Sequence, residues 1–310
     1  MKRHILAILL LLGLLSQPAQ AGGDFFMVSD VGSSARMIRM GNIEGFSEFA
    51  NGVFENPASL YRTKRFSASV FTTTFMNEVQ YKNLSVSTKL PFGTLGLGYM
   101  TAGVGAIPRT YESVATTPGE ESTFDVGGYF DYNNTMAKVS YELSQTENLH
   151  FGTSLTYYAS TIDTHSGRGF NFDAGIVAVA RPLTLSVVAK NVVPSLKVNY
   201  SNGQSETLPL QTSYSALYHI GNFDLLGQLR AIGNNQKFMK SFAVNYSPHF
   251  VPFFHISGGY KEFPVIRDIK SNYVLGLGLD VFDVSFDYAY ERSEHIEYNN
   301  KHYFSVAFSY

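Results

Sequence analysis

The chain of 310 residues has no cysteine and no tryptophan, and only 15% of its residues are charged. Without cysteine the fold can have neither a disulfide nor a zinc site built on thiolates. The charged fraction is well below the roughly 25% that is usual for a soluble domain. The formal net charge of −2, without a basic patch, argues against nucleic acid as a partner.

The first 21 residues have the pattern of a secretory signal peptide. Lys2 and Arg3 precede an apolar run over residues 5–15, and Ala19 and Ala21 form a small-residue cleavage site. The run is shorter than the roughly 20 residues that a helix needs to cross a bilayer. No longer apolar run follows, so the mature chain, expected to begin at residue 22, is predicted to be exported and to have no transmembrane helix.

Beyond residue 65, apolar and polar side chains alternate with a period of two, which indicates strands with two different faces. The clearest case begins at Phe282, where Phe286 and Tyr288 alternate with Asp287 and Ala289. The pattern predicts fourteen strands, over residues 66–77, 79–90, 94–102, 135–144, 149–160, 168–180, 183–191, 211–220, 223–232, 240–247, 253–262, 271–280, 282–293 and 301–310.

The predicted connections are short after even strands and mostly longer after odd ones, the longest covering residues 103–134 and 192–210, with strand character possible at 196–200. Outer-membrane barrels have short periplasmic turns, longer external loops and an even number of strands. We therefore predict an all-β fold, a transmembrane antiparallel β-barrel of about 14 strands over residues 64–310, located in the bacterial outer membrane. A soluble sandwich or β-helix is the alternative, but the small residues on the non-apolar face disfavour it.

Residues 36–60 do not alternate and carry several charges, so the segment 22–63 is predicted to be a plug, or hatch, that contains short helix and lies in the barrel lumen. Asn56-Pro57 either turns the chain into the first strand or forms a hinge of the hatch, because proline restricts the backbone on both sides of its own bond. Charged side chains in the plug are costly unless they are paired.

Charged side chains on the inward faces of the strands supply possible partners for the plug. The lumen-facing candidates are Lys138, Glu142, Lys190, Arg230, Asp283, Asp287 and Glu291. Our hypothesis is that Arg36 and Arg39 pair with some of the acids among them and hold the plug. Charge reversal at Asp283 or Asp287 is then expected to raise the conductance.

Several short motifs of the chain resemble those of FadL-like barrels, and in particular of the PorV/PorQ branch. The plug motif consists of Ser34, Ala35, Arg36, Arg39, Met40, Gly41, Asn42, Asn56, Pro57 and Ala58. Later stretches that resemble the same branch are Phe172-Asp173-Ala174-Gly175, Ala189-Lys190-Asn191 and Leu208-Pro209-Leu210. The resemblance implies a fourteen-stranded barrel with an N-terminal hatch.

Two functions follow from the resemblance. PorV/PorQ relatives imply a structural or secretion-associated interaction barrel of the type IX kind, whose loops over residues 103–134 and 192–210 bind partners. FadL relatives imply the alternative, a passive transporter for hydrophobic small molecules. The modest loops of this chain disfavour uptake of fatty acids.

No enzyme, metal site or cofactor is expected. The histidines of the mature chain have no companion residues at catalytic spacing, and the sequence contains no HExxH or GxSxG motif. The expected partners are outer-membrane lipids, secretion-system components or a hydrophobic ligand. The barrel-assembly machinery is a further partner, because the last strand ends on an outward aromatic residue, Tyr310.

Overall fold

The computed structural model describes residues 31–75, 78–113, 123–233, 238–265, 268–293 and 301–310. The predicted signal peptide and residues 22–30 of the predicted plug lie outside the described residues. Helix α1 is Ala35–Arg39, helix α2 is Gly52–Glu55, and a 3₁₀ helix covers Pro57–Arg62. The strands in the described ranges are β1 (Phe66–Phe75), β2 (Val79–Leu90), β3 (Gly93–Ser113), β4 (Thr123–Thr146), β5 (Leu149–Ile162), β6 (His165–Ala180), β7 (Leu183–Lys190), β8 (Lys197–Tyr200), β9 (Ser205–Thr207), β10 (Gln211–Ile220), β11 (Phe223–Ile232), β12 (Met239–Tyr246), β13 (Phe254–Val265), β14 (Asp268–Val281), β15 (Val284–Ser293) and β16 (Lys301–Ser309).

Fourteen of these strands form one closed antiparallel barrel, which confirms the predicted fold class. Each strand pairs with its neighbours along the chain, and β1 pairs with β16 to close the ring. The other two strands, β8 and β9, form a hairpin that leaves the wall after β7 and contacts β6 at Gly167 and Arg168. Strand β7 therefore pairs directly with β10.

The two faces of the wall differ as the alternation predicts. On β2, the inward side chains Asn83, Ser85 and Ser87 are buried, whereas Leu84 on the outer face is about half exposed. Large apolar side chains cover the outside in the same way elsewhere, as with Leu275 and Phe304. An apolar exterior around a polar interior is the pattern of a barrel in contact with lipid.

One end of the barrel carries the long β3–β4 hairpin and the loop over residues 191–210, besides the tight β5–β6 turn. The other end carries the turns after β2, β4, β6, β10, β12 and β14, together with the start of β1 and the end of β16. Because outer-membrane barrels place their short turns in the periplasm, we call this the periplasmic end and the opposite one the external end. In the described part of the chain, no helix has the length and apolar character needed to cross a membrane.

The predicted loop over residues 103–134 is wrong, because most of it is strand. Strands β3 and β4 remain paired as far as Ser113 and Thr123, with register shifts on the way. The hairpin extends well beyond the paired part of β2, and Tyr111 and Phe124 on it are exposed. Outside the membrane neither face of a strand needs to be apolar, so the alternation that reveals the wall is absent here.

The predicted start of the strand at residue 282 is also wrong. Phe282 has a left-handed backbone with φ 55° and lies in the turn between β14 and β15, with its side chain almost fully exposed. Asp283 lies in the same turn and not on the lumen wall, and its carboxylate contacts Lys64 at 3.5 Å. The alternation continues through this tight turn, which is why the sequence pattern does not mark the turn's position.

Candidate functional site

The described segment before β1 occupies the lumen as a plug whose residues contact the wall on several sides. Its first helix, α1, begins at Ser34, whose hydroxyl accepts the Met37 amide at 3.1 Å. Ala35 is buried, and its amide donates to Ser305 Oγ on β16 at 3.1 Å. After the half-buried Met40, the chain turns away from α1 through two left-handed residues, Gly41 and Asn42.

Arg39 holds the plug to one side of the wall. Its guanidinium is buried, and Nε donates to Asp287 Oδ1 on β15 at 2.8 Å. Nη1 donates to Asn245 Oδ1 on β12 and to Ser257 Oγ on β13, each at 2.9 Å. A buried charge with a partner and further hydrogen bonds is stable in place, but removing one partner of such a pair costs about 3–5 kcal/mol.

Arg36 has a different set of partners from those predicted. It contacts Glu48 of the plug itself at 2.8 Å and lies over the ring of Phe49. Its contacts with the wall are Asp280 on β14, at 3.6 Å, and Ser285 Oγ on β15, to which Nη1 donates at 3.5 Å. The candidate Glu291 instead pairs with Lys261 at 3.0 Å.

Asn56 holds the plug to the opposite side of the wall. Its amide nitrogen donates to Ser186 Oγ at 2.9 Å and to the Val187 carbonyl at 3.1 Å, both on β7. Its amide oxygen accepts the Ala58 amide at 2.9 Å and so starts the 3₁₀ helix, in which Pro57 is the first residue. Asn56-Pro57 therefore lies at an attachment point between plug and wall, and a hinge motion there stays a prediction.

Inward glycines let the plug approach the wall closely. A Cβ atom at Gly152 on β5 would lie 2.2 Å from the Ala58 nitrogen, and one at Gly175 on β6 would lie 1.9 Å from Asn56 Oδ1. On β14, a Cβ at Gly276 would lie 2.3 Å from Arg39 Cβ. On β3, Gly96 and Gly98 face Val53, Phe54 and Leu60 in the same way. We call Gly96, Gly98, Gly152, Gly175 and Gly276 the glycine seats.

The remaining lumen candidates are distributed around the plug. Lys138 on β4 pairs with Asp173 on β6, and Lys190 on β7 pairs with Glu44 of the plug. Glu142 contacts His150 Nδ1 at 3.3 Å near the periplasmic end. Arg230 is half-buried beside a second, very small pocket of about 10 Å³ between the plug and β11–β13.

A larger pocket, with a cavity volume of about 30 Å³ and partly open to solvent, lies between the plug, strands β3 to β5, the end of β7 and the loop that follows it. Its apolar wall combines plug, barrel and loop residues, namely Met37, Phe54, Met100, Met136, Tyr158, Leu208 and Pro209. Its polar wall consists of Ser33, Glu44, Lys138, Lys190, Asn191 and Gln211. The pocket therefore has one apolar and one polar wall, and convergent polar groups beside apolar surface are a feature of sites that bind small molecules.

The pocket adjoins the point at which the regular wall ends. Strand β7 stops at Lys190, and Asn191 has a left-handed φ of 58°. Its amide donates to Asp173 Oδ1 at 3.0 Å, its side-chain oxygen accepts from Tyr158, and its side-chain nitrogen donates to the Pro209 carbonyl. Above this point β7 does not continue, and the segment 191–210 covers β6 instead, with its hairpin β8–β9 paired to β6 at Gly167 and Arg168.

The sequence contains only indirect evidence for the residues that line the pocket and attach the plug. Asp173, Asn191 and Pro209 belong to three stretches that resemble FadL-like barrels, but nothing in the sequence places those stretches together. From the sequence, Glu44 is only one of several plug charges that need a partner, and nothing in the pattern indicates Asn245 or Ser257. They become functional candidates only because the wall brings them to the plug.

Glu55 gives the plug a dependence on pH. Its carboxylate accepts from Asn51 at 2.6 Å and from Ser33 at 3.0 Å. Burial, the largest influence, raises the pKa of Glu55 from its ordinary 4.5 to about 7, against the opposing effects of Ser33 and Lys190. A raised pKa means that the folded state binds the proton more tightly, so this contribution to stability is present below about pH 4.5 and is lost as the pH rises to about 7.

We expect Glu55→Gln to remove this dependence. The parent barrel should be less stable at about pH 8 than at about pH 5 by roughly 3 kcal/mol from this residue, and the variant should show a smaller difference. Urea unfolding in detergent micelles at the two pH values measures the effect. Gln is uncharged and nearly the same shape as Glu, so equal pH slopes for parent and variant would contradict the assignment.

These features define a plugged fourteen-stranded β-barrel of the kind found in bacterial outer membranes. The structure is similar to the toluene transporter TodX of Pseudomonas putida, with TM-score 0.60, 10% identity, and coverage of 90% of this chain and 98% of TodX. It is similar to the monoaromatic hydrocarbon channel CymD, with TM-score 0.60, 11% identity and the same coverage. A FadL homologue of Pseudomonas aeruginosa matches with TM-score 0.54, 11% identity, and 90% and 98% coverage.

The chain therefore has the fold of the FadL-like barrels. At such low identity the similarity shows the fold alone. No protein-family model matches the sequence, and no curated protein sequence matches it.

Proposed function

We propose that the protein is a passive channel that carries small hydrophobic molecules across the outer membrane. The observation that carries this proposal is the pocket between the plug and the end of β7. It has an apolar wall, opens partly to solvent and lies where the strand gives way to a loop. The channels TodX and CymD, which share the fold, support the same function.

The charges around the pocket favour an uncharged molecule. Lys138 and Lys190 are the cations in its wall, and each already pairs with a carboxylate. A carboxylate ligand would have to displace Asp173 or Glu44 from a buried ion pair, which is costly. Three methionines and two aromatic rings offer polarizable surface that suits an aromatic ligand instead.

The test is the rate at which a neutral fluorescent arene enters bacterial cells with an intact outer membrane. Expression of the parent chain should raise the initial rate, and Met136→Trp, which fills the pocket, should lower it several-fold. Val139→Trp is the matched control, because Val139 is on the same strand but faces lipid. An arene of similar size that carries a carboxylate should enter no faster than in cells without the protein.

If the parent chain does not accelerate entry of the neutral arene, the channel proposal is wrong. Equal rates for Met136→Trp and Val139→Trp would show that the route does not use the pocket.

A secretion-associated interaction barrel of the PorV/PorQ type is the second candidate. The observation that favours it is the β3–β4 hairpin, which extends past the wall and exposes Tyr111, Phe124 and Tyr129. This function predicts that secretion components co-purify with the barrel in detergent. It also predicts that shortening the hairpin abolishes their capture and leaves entry of the arene unchanged.

A further inference from the structure

The turns at the periplasmic end have apolar tips on one side of the ring only. Phe92 in the β2–β3 turn, Phe250 in the β12–β13 turn and Phe282 in the β14–β15 turn are 81%, 84% and 99% exposed. Tyr310, beside the start of β1, is also exposed. We call these four residues the apolar arc.

The apolar arc is continuous around the ring. The order β3-β2-β1-β16-β15-β14-β13-β12 places its four junctions next to one another. The other three junctions, β4–β5, β6–β7 and β10–β11, complete the ring. Their tips are polar or small, namely Glu147-Asn148, Arg181-Pro182 and Gly221-Asn222.

Phe282 shows that the arc is not an incidental feature of tight turns. A left-handed backbone is uncommon for a bulky residue, and glycine or asparagine is the usual occupant. Here a phenylalanine adopts φ 55° and directs its ring away from the rest of the protein. Such a ring gains nothing from folding if it stays in water, whereas its transfer into an apolar medium is favourable.

The arc continues the surface that already faces lipid. Phe286 and Phe308, on the outer faces of β15 and β16, lie next to these turns and are substantially exposed. The charges of the arc at this point, Lys64 and Asp283, contact each other. The long side chain of Lys64 can also reach water from a lipid interface.

We propose that the apolar arc inserts into the inner leaflet of the outer membrane, at the boundary between headgroups and acyl chains. The polar junctions on the opposite side stay in the periplasmic water, so the barrel is tilted with the arc deeper in the membrane. The partner of this surface is therefore phospholipid. The tilt does not depend on the proposed channel function.

The absence of tryptophan from the chain makes a direct test possible. In Phe282→Trp and Phe250→Trp, emission comes from a single site on the arc. Asn148→Trp and Arg181→Trp are the matched controls in two of the polar junctions. Each purified variant is reconstituted into phosphatidylcholine vesicles, with either ordinary or acyl-brominated lipid, and its folding is checked by heat-modified electrophoretic mobility.

We expect brominated lipid to reduce the emission of both arc variants several-fold, and to affect the two controls little. Aqueous iodide should give the opposite result. The two arc variants report on different turns, so either of them is sufficient for the test if the other folds poorly. Arc tryptophans that iodide quenches and brominated lipid does not would overturn the proposal and favour a periplasmic protein as the partner. Equal lipid quenching at all four sites would also overturn it, because the barrel would then not be tilted.

Discussion

Reversing the charge of Asp287 is expected to release the plug and raise the ion conductance of the barrel. In Asp287→Lys, the buried guanidinium of Arg39 loses its anionic partner and faces a second cation. Removing a partner from a buried pair costs about 3–5 kcal/mol, and Arg39 connects the plug to three strands at once. Single-channel recording in planar bilayers should show larger or more frequent openings than those of the parent barrel.

Asp283→Lys is the control that the structure supplies. The sequence made Asp283 an equal candidate, but it lies in an exposed turn beside Lys64 and not next to Arg39. Its reversal should leave the conductance at the parent level. The double variant Arg39→Asp with Asp287→Arg exchanges the two charges and keeps one of each sign. Its conductance should therefore lie between that of Asp287→Lys and that of the parent barrel. Parent-like conductance in Asp287→Lys would show that this ion pair does not hold the plug.

Gly152→Val is expected to prevent the plug from seating. A Cβ at this position would lie 2.2 Å from the Ala58 nitrogen and 2.3 Å from the Pro57 carbonyl carbon. Both atoms are backbone, so no side-chain rotation relieves the overlap, and overpacking of this kind costs about 1–3 kcal/mol or more. Because the wall is a closed ring of hydrogen bonds, the plug should be displaced and the wall should survive. Higher conductance with unchanged heat-modified mobility is the expected result.

Gly227→Val is the matched control for the seat. Gly227 lies in the wall on β11, and a Cβ there has Phe242 Cδ1 at 3.7 Å as its nearest neighbour, an ordinary contact. The control should have parent-like conductance and stability. If Gly152→Val also has parent-like conductance and stability, the prediction is wrong. The plug can then shift enough to accommodate the added side chain without opening a path for ions.

The two expectations concern opposite sides of the plug. Arg39 contacts β12, β13 and β15, whereas Asn56 and Ala58 contact β5 to β7, next to the pocket. With both sides attached, the proposed channel function requires a route beside the plug and not through it. The end of β7 at Lys190 is the nearest interruption of the wall for such a route.

The alternation of residues such as Phe286, Asp287, Tyr288 and Ala289 was enough to predict the barrel. Lipid outside and a polar lumen inside impose a period of two on every strand, and this requirement acts on each residue separately. The prediction failed where that requirement stops. The hairpin over residues 103–134 leaves the membrane, and the turn at Phe282 preserves the alternation while it breaks the strand.

The sequence by itself therefore determined the wall, its fourteen strands, and a non-alternating segment that had to lie elsewhere. Only the tertiary structure decided how that segment is held. Arg39 and Asp287 are 248 positions apart, and Asn56 and Ser186 are 130 apart, so no local pattern could pair them or separate Asp287 from Asp283. The glycine seats are unrecognisable for the same reason, because the absence of a side chain has meaning only once the plug lies against it. Closure of the barrel around the plug brings these distant positions together. The resulting contacts determine which of the inward charges and glycines hold the plug.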